Sequence, residues 1–103
     1  MSRVVDYIER LRAERRISDT VADATRRAYT MAPTLPMPTA GDGPSGEMIL
    51  SWNIGPHHLE VEIEPSGEAE WFYLNFQTNE TWLQAQPPSP EQAEPLQEAA
   101  HRP

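Results

Sequence analysis

The spacing of apolar residues changes once along this chain, and that change limits what the chain can fold into. Up to about residue 32, apolar side chains recur every three or four residues, which is the period of a helix. Over residues 47–85 they alternate with polar side chains, which is the period of a strand. The segment 33–46 between them is rich in proline and glycine, which disfavour both structures. The sequence therefore predicts an α+β fold, with helices first and an antiparallel sheet after them.

Residues 3–32 are predicted to form two helices that meet near Ile17. Val4, Ile8 and Leu11 fall on one face of the first helix, as the i, i+4, i+7 spacing requires. Ser18 stands where an N-cap begins the second helix, and the next proline after residue 32 forbids its continuation. We expect this helical pair to pack on one face of the sheet, joined to it by the connector 33–46.

Three strands and a short fourth are predicted within residues 47–85. The turns Gly55-Pro56 and Pro65-Ser66-Gly67 are short enough to join antiparallel neighbours, so the strands should form a meander. The fourth strand, around residues 81–85, would place Trp82 on the core. The residues expected to form the buried face are Met48, Leu50, Trp52, Ile54, Leu59, Val61, Ile63, Phe72, Leu74 and Phe76.

The single domain is predicted to comprise residues 1–86, followed by a disordered acidic tail at 87–103. Proline, glutamine, glutamate, alanine and serine dominate that tail, and it contains one leucine. So few apolar groups would not offset the conformational entropy lost on ordering.

Four short stretches follow one another in a fixed order: Leu-Pro-Met-Pro-Thr at 35–39, Gly-Glu-Met-Ile-Leu-Ser-Trp at 46–52, Leu-Glu-Val-Glu-Ile at 59–63 and Pro-Ser-Gly at 65–67. This arrangement resembles a widespread group of short uncharacterised bacterial proteins. In that group a helix leads through a proline-rich segment to a glycine turn, a strand ending in Trp and a second strand closed by a glycine turn. The resemblance implies this order of elements and a bacterial origin. It implies no activity, cofactor or binding residue.

The composition excludes several kinds of chemistry. The 103 residues include no cysteine and no lysine, which removes disulfides, thiolate nucleophiles, the P-loop lysine and Schiff-base catalysis. No apolar run approaches the ~20 residues of a membrane span, and charges replace the apolar stretch of a signal peptide. We therefore expect a cytoplasmic protein with no membrane partner. The formal net charge is −8, and seven of the eight arginines lie within the first 32 positions, so nucleic acid is disfavoured as a partner.

The titratable residues do not form a recognisable catalytic or metal-binding motif. His57 and His58 are adjacent, and neighbours in a strand point to opposite faces, so they are poorly placed to chelate one ion. Asp42, Glu60 and Glu62 could offer oxygen ligands to a hard cation, but they lack a regular ligand spacing. No nucleophile motif surrounds the serines. We expect a non-enzymatic protein without a cofactor or a metal.

The second face of the sheet is the candidate partner-binding surface. Glu60, Glu62 and Glu64 are predicted to line it, and Trp71 and Tyr73 lie beside them if the alternate residues of that strand point to the core. Exposed Trp and Tyr are enriched at interface hot spots. We therefore interpret the chain as a small interaction or regulatory module that binds a protein partner or a second copy of itself.

Two other functions fit the same sequence. A DNA-binding regulator would read DNA with its second helix through Arg26 and Arg27. An inhibitor of the phage or mobile-element type would imitate phosphates and occupy a basic nucleic-acid channel, and its binding would weaken steeply as salt rises. The side chains available for that mimicry are Glu60, Glu62, Glu64, Glu68 and Glu70.

Overall fold

The computed structural model describes residues 3–30 and 35–101. It has two N-terminal helices, a five-stranded antiparallel sheet and a C-terminal helix, so the predicted α+β class is confirmed. The last two residues of the predicted helical range and the first two of the connector lie outside the described residues. In chain order the elements are α1 (Arg3–Ala13), α2 (Asp19–Thr30), β1 (Thr39–Asp42), β2 (Met48–Ile54), β3 (His57–Ile63), β4 (Ala69–Asn75), β5 (Thr81–Gln84) and α3 (Pro90–Ala100).

The two N-terminal helices meet where the sequence predicts. Ser18 caps α2, because its hydroxyl accepts a hydrogen bond from the Val21 amide at 3.1 Å. Arg26 then joins the two helices by reaching Glu9 of α1 at 2.7 Å. The apolar faces of both helices are buried together, including Ile8 and Val21.

The sheet is a meander in the order β1-β2-β3-β4-β5, with every neighbouring pair antiparallel. Five strands form rather than the three or four predicted, because β1 lies within the segment assigned to the connector. Asp42 at the end of β1 accepts a hydrogen bond from the Tyr7 hydroxyl at 3.1 Å and contacts Arg16 at 3.0 Å. The Trp52 indole donates to the Pro36 carbonyl at 2.8 Å. Side chains from other elements therefore hold this proline- and glycine-rich segment against the sheet.

The predicted orientation of β4 is wrong. Trp71 and Tyr73 point into the core, whereas Phe72 and Leu74 point away from it and Phe76, in the turn that follows, is exposed. The reason is the register with β3, in which Val61 lies opposite Trp71 and residues opposite each other share a face. Both alternating sets of β4 are apolar, so the pattern alone did not choose between them.

The predicted disordered tail is also wrong, because residues 90–100 form α3. Ser89 and Gln92 make a reciprocal capping box, with each side chain accepting from the other residue's amide. Leu96 is fully buried in the same core as the sheet, and Ala99 and Ala100 pack against that core. The amide side chains of Gln92 on α3 and Gln84 on β5 also exchange two hydrogen bonds, at 2.9 and 3.0 Å. One leucine, two alanines and this polar pair therefore dock a helix that the composition did not predict.

All three helices cover one face of the sheet. Ile8, Val21 and Leu96 belong to one hydrophobic cluster with Leu50 and Val61 of the central strands. Helix α1 contacts β1, helix α2 contacts β2 and β3, and helix α3 contacts β2. The opposite face of the sheet has no helix over it among the described residues.

Candidate interaction surface

The open face is the side of the sheet that the three helices leave uncovered. Strand alternation assigns its side chains, since residues 48, 50, 52 and 54 of β2 are buried and those between them are not. The same reasoning applies to β3 and β4, with β5 following from its register with β4. Its members on β2, β3, β4 and β5 are Ile49, Ser51, Asn53, His58, Glu60, Glu62, Glu70, Phe72, Leu74, Thr81 and Leu83.

An apolar patch lies at one side of the open face, formed by Phe72, Leu74 and Leu83, and Phe76 extends it from the turn that follows β4. Phe72 and Leu83 lie directly opposite each other across β4 and β5. Phe76 and Leu83 are 63% and 62% exposed, so both side chains meet solvent over most of their surface. Exposed apolar side chains gathered on one surface and rimmed by polar residues are typical of an interaction site.

An acidic row continues the open face beside the apolar patch. Glu62 and Glu70 lie directly opposite each other on β3 and β4, although like charges in that position reduce sheet stability. His58 approaches Glu60 with its Nε2 atom at 3.4 Å. Apart from that contact, the row has no ion pair among residues 3–30 and 35–101. Its members are Glu60, Glu62, Glu64, Glu68 and Glu70.

Trp71 and Tyr73 do not belong to this surface, contrary to the sequence-based hypothesis. Trp71 is 1% exposed and stacks on Trp52 with 6.1 Å between ring centroids. Tyr73 stacks on Trp82 at 5.3 Å, and its hydroxyl is 2.7 Å from the Nδ1 atom of His57. Burial raises the pKa of Tyr73 above the ordinary tyrosine value of 10.0. Both residues contribute to the core, and neither presents its side chain on the open face.

The structure separates the residues considered for a metal site. His57 is buried beside Tyr73, whereas His58 lies on the open face with its Nδ1 atom 2.8 Å from Asn53. Asp42 is held by Tyr7 and Arg16 on the other side of the sheet. Within the described ranges, no group of three or more His, Asp or Glu side chains is arranged to hold a metal ion.

The arginines considered for DNA binding differ in their surroundings. Arg26 contacts Asp23 at 2.6 Å as well as Glu9, so its guanidinium is already held between two carboxylates. Arg27 is exposed near the end of α2. Reading a base with Arg26 would therefore require breaking the contact that joins α1 to α2.

The apolar patch was missed at the level of sequence, although one signal was present. A three-residue turn, Pro65-Ser66-Gly67, places Glu64 opposite Glu68, as the 2.8 Å backbone hydrogen bond between them confirms. Counting outward from that pair places Val61 opposite Trp71 and turns Phe72 to the other face. The turn length thus determines which aromatic residues of β4 are exposed.

No family model matches this sequence, and the searches of curated proteins and of solved structures found no match either. The resemblance to short bacterial proteins therefore stays a prediction. None of the helices in the described part of the chain is long and apolar enough to cross a membrane.

Proposed function

We propose that this protein is a non-enzymatic interaction module that binds a protein partner through its open face. The exposed apolar patch is the observation on which the proposal depends. Phe76 and Leu83 expose most of their surface although the opposite side of the sheet provides a core for large side chains. A water-facing antiparallel sheet needs polar residues on that side, so stability does not explain these two.

The charges beside the patch indicate the chemistry of the partner. The acidic row places Glu62 opposite Glu70 without a basic side chain between them among the described residues. A partner that brings arginine or lysine to this position would relieve that repulsion and steer the encounter. We therefore infer a partner surface with apolar side chains flanked by basic ones. Two open faces packed in register against each other would instead bring the acidic rows together, which disfavours that arrangement of a second copy.

A photoreactive amino acid placed at single positions tests this proposal. Crosslinking at position 83 or 76 should yield one discrete protein adduct in the source cells, whereas crosslinking at Asp6, which is exposed on α1, should not. An excess of unlabelled wild-type protein should suppress the adduct. The same excess of the double variant Phe76→Ser with Leu83→Ser should not suppress it. Equal adduct formation at position 6, or full competition by the double variant, would contradict the proposal.

A phosphate-mimicking inhibitor is the second candidate function. One observation favours it. All five glutamates of the acidic row occupy alternate positions along β3 and β4, on the side of the open face, as far as the turn that joins the two strands. The two candidates differ in salt dependence, because contacts between exposed charges are screened whereas apolar contacts are not. A mimic would lose its target steeply between low and physiological salt. It would also bind normally when Phe76 and Leu83 are replaced, but not when Glu62 and Glu70 are replaced by glutamine.

A further inference from the structure

We infer that the partner is bound as an added β-strand along β5, in an extended segment where basic and apolar residues alternate. This inference rests on the proposed function and specifies how the partner is held. Strand β5 is an edge of the sheet, since β4 is its one neighbour in the strand order. Edge strands with free backbone groups are templates for a further strand.

The direction of the free backbone groups follows from the hydrogen bonding of β4 and β5. The Asn75 amide donates to the Glu80 carbonyl at 2.9 Å, so Asn75 and Glu80 are a hydrogen-bonded pair. Hydrogen-bonded and non-hydrogen-bonded pairs alternate along an antiparallel ladder. Thr81 and Leu83 therefore direct their N–H and C=O groups outward, away from β4. These groups are available to an incoming strand.

The two sides of β5 differ, and each side suits a different class of side chain. Leu83 and Phe72 offer apolar surface on the open face. On the opposite side a groove of about 500 Å³ lies between β5 and α3, and its lining includes Glu80, Trp82 and Glu91. Two carboxylates beside an indole suit a cation, because the ring attracts positive charge and its flat surface accommodates the stem of an arginine or lysine.

The side chains of the incoming strand face the two sides of β5 in turn, because successive residues of a strand point to opposite faces. Every second side chain would enter the groove beside Trp82, and the others would lie on Leu83 and Phe72. An extended segment in which Arg or Lys alternates with Val, Ile or similar residues therefore matches both sides. Strand β5 is short, so its backbone groups alone would bind weakly, and the side-chain contacts supply the selectivity.

The probe for this inference is a short capped peptide in which Arg and Val alternate. A peptide of the same composition with all Arg before all Val is the matched control. With the alternating peptide, amide hydrogen exchange at Thr81 and Leu83 should slow at least about tenfold, since these amides gain hydrogen-bond partners. The block peptide should leave both amides unchanged. Glu91→Gln should weaken binding of the alternating peptide and reduce its dependence on salt.

A pair of variants at one position isolates the backbone contribution. Thr81→Pro removes the outward N–H, and proline is tolerated on an edge strand when its nitrogen faces solvent. Thr81→Val keeps that N–H. Loss of one hydrogen bond should weaken binding of the alternating peptide by roughly 3- to 10-fold in the proline variant and not in the valine variant. Melting curves of both variants control for folding.

The outcomes separate this inference from the proposed function. If the alternating peptide does not bind, or if it binds without slowing exchange at Thr81 and Leu83, strand addition is wrong. The proposed function would still stand if crosslinking at position 83 persists. If crosslinking fails while the peptide protects both amides, the edge binds extended chains but the open face is not the partner site. A doubled mass in solution without peptide, abolished by Thr81→Pro, would identify a second copy as the occupant and overturn the choice of a basic partner segment.

Discussion

Replacing Trp71 and Phe72 by alanine, one at a time, tests which face of β4 belongs to the core. Trp71 is 1% exposed and packs flat against Trp52, with an interplanar angle of 14°. Complete burial of a Trp side chain removes about 150–250 Å² from water, which corresponds to an upper estimate of about 4–6 kcal/mol. Core truncations of this kind cost about 3–5 kcal/mol. We therefore expect Trp71→Ala to lower the free energy of unfolding by about 4 kcal/mol.

Phe72 is the matched control because it is the next residue on the same strand and points to the open face. It lies between Glu60 and Leu83 in the sheet and is only partly buried. Cross-strand pairs on an exposed face contribute about 0.2–1 kcal/mol. Phe72→Ala should therefore lower the free energy of unfolding by about 1 kcal/mol, roughly a quarter of the effect at Trp71.

Urea unfolding followed by circular dichroism gives both free energies, and the melting temperature gives an independent measure. A loss of 1 kcal/mol lowers the melting temperature of a domain this size by about 4–8 °C. Because total stability is typically about 5–15 kcal/mol, a loss of about 4 kcal/mol can leave Trp71→Ala partly unfolded, so Trp71→Phe is measured beside it. The order of effects should be Trp71→Ala, then Trp71→Phe, then Phe72→Ala. If Phe72→Ala is the most damaging of the three, the two faces of β4 are assigned the wrong way round.

Three further predictions concern other parts of the fold. Leu96→Ala should lower the free energy of unfolding by about 2–5 kcal/mol in urea titrations, because this side chain is fully buried. An unchanged urea midpoint, or unchanged stability after deletion of residues 87–103, would show that α3 does not dock. Ser18→Ala should cost about 1 kcal/mol because the Val21 amide loses its capping partner, whereas Ser45→Ala in the loop before β2 should have little effect; equal losses would argue against the cap. The raised pKa of Tyr73 means that the folded state holds this proton more tightly than the unfolded state, so its contribution is present below pH 10.0 and is lost as pH rises through the folded pKa. Tyr73→Phe should therefore make the melting temperature less sensitive to pH above 10.0, and a slope equal to that of the wild-type protein would refute this origin.

Much of the fold was predictable because its patterns are local. The helical spacing of Val4, Ile8 and Leu11 leaves one apolar face, and Ser18 provides a cap that acts within one turn. The strict alternation in β2 and β3 fixes which side chains are buried, and short glycine turns favour antiparallel neighbours. The acidic residues Glu60 and Glu62 were correctly assigned to the uncovered face for the same reason.

The candidate site was less predictable because β4 is apolar in both alternating positions. From the alternating pattern alone, Trp71 and Tyr73 could each have been exposed, and so could Phe72. The register with β3 decides between them, and it places the Tyr73 hydroxyl within reach of His57 in the core. The same ambiguity holds for β5, because Trp82 and Leu83 are adjacent and both apolar, and either could have faced the core. Which of these residues form the exposed surface therefore depends on how the strands pair.

The sequence by itself determined the class of the fold, the joint between α1 and α2, the meander and the buried face of its central strands. These features depend on residues close together in the chain, where spacing and turn chemistry act directly. Only the tertiary structure decided that β1 joins the sheet and that α3 docks through Leu96. It also decided the strand register that turns Phe72, Leu74 and Leu83 away from the helices, to which the length of the turn at Pro65-Ser66-Gly67 was the one local signal. Those outcomes depend on contacts between distant segments: Tyr7 with Asp42, Leu96 with the sheet, and Val61 opposite Trp71. A polar or proline-rich segment is ordered when the rest of the fold offers it a site, and its own composition does not reveal that site.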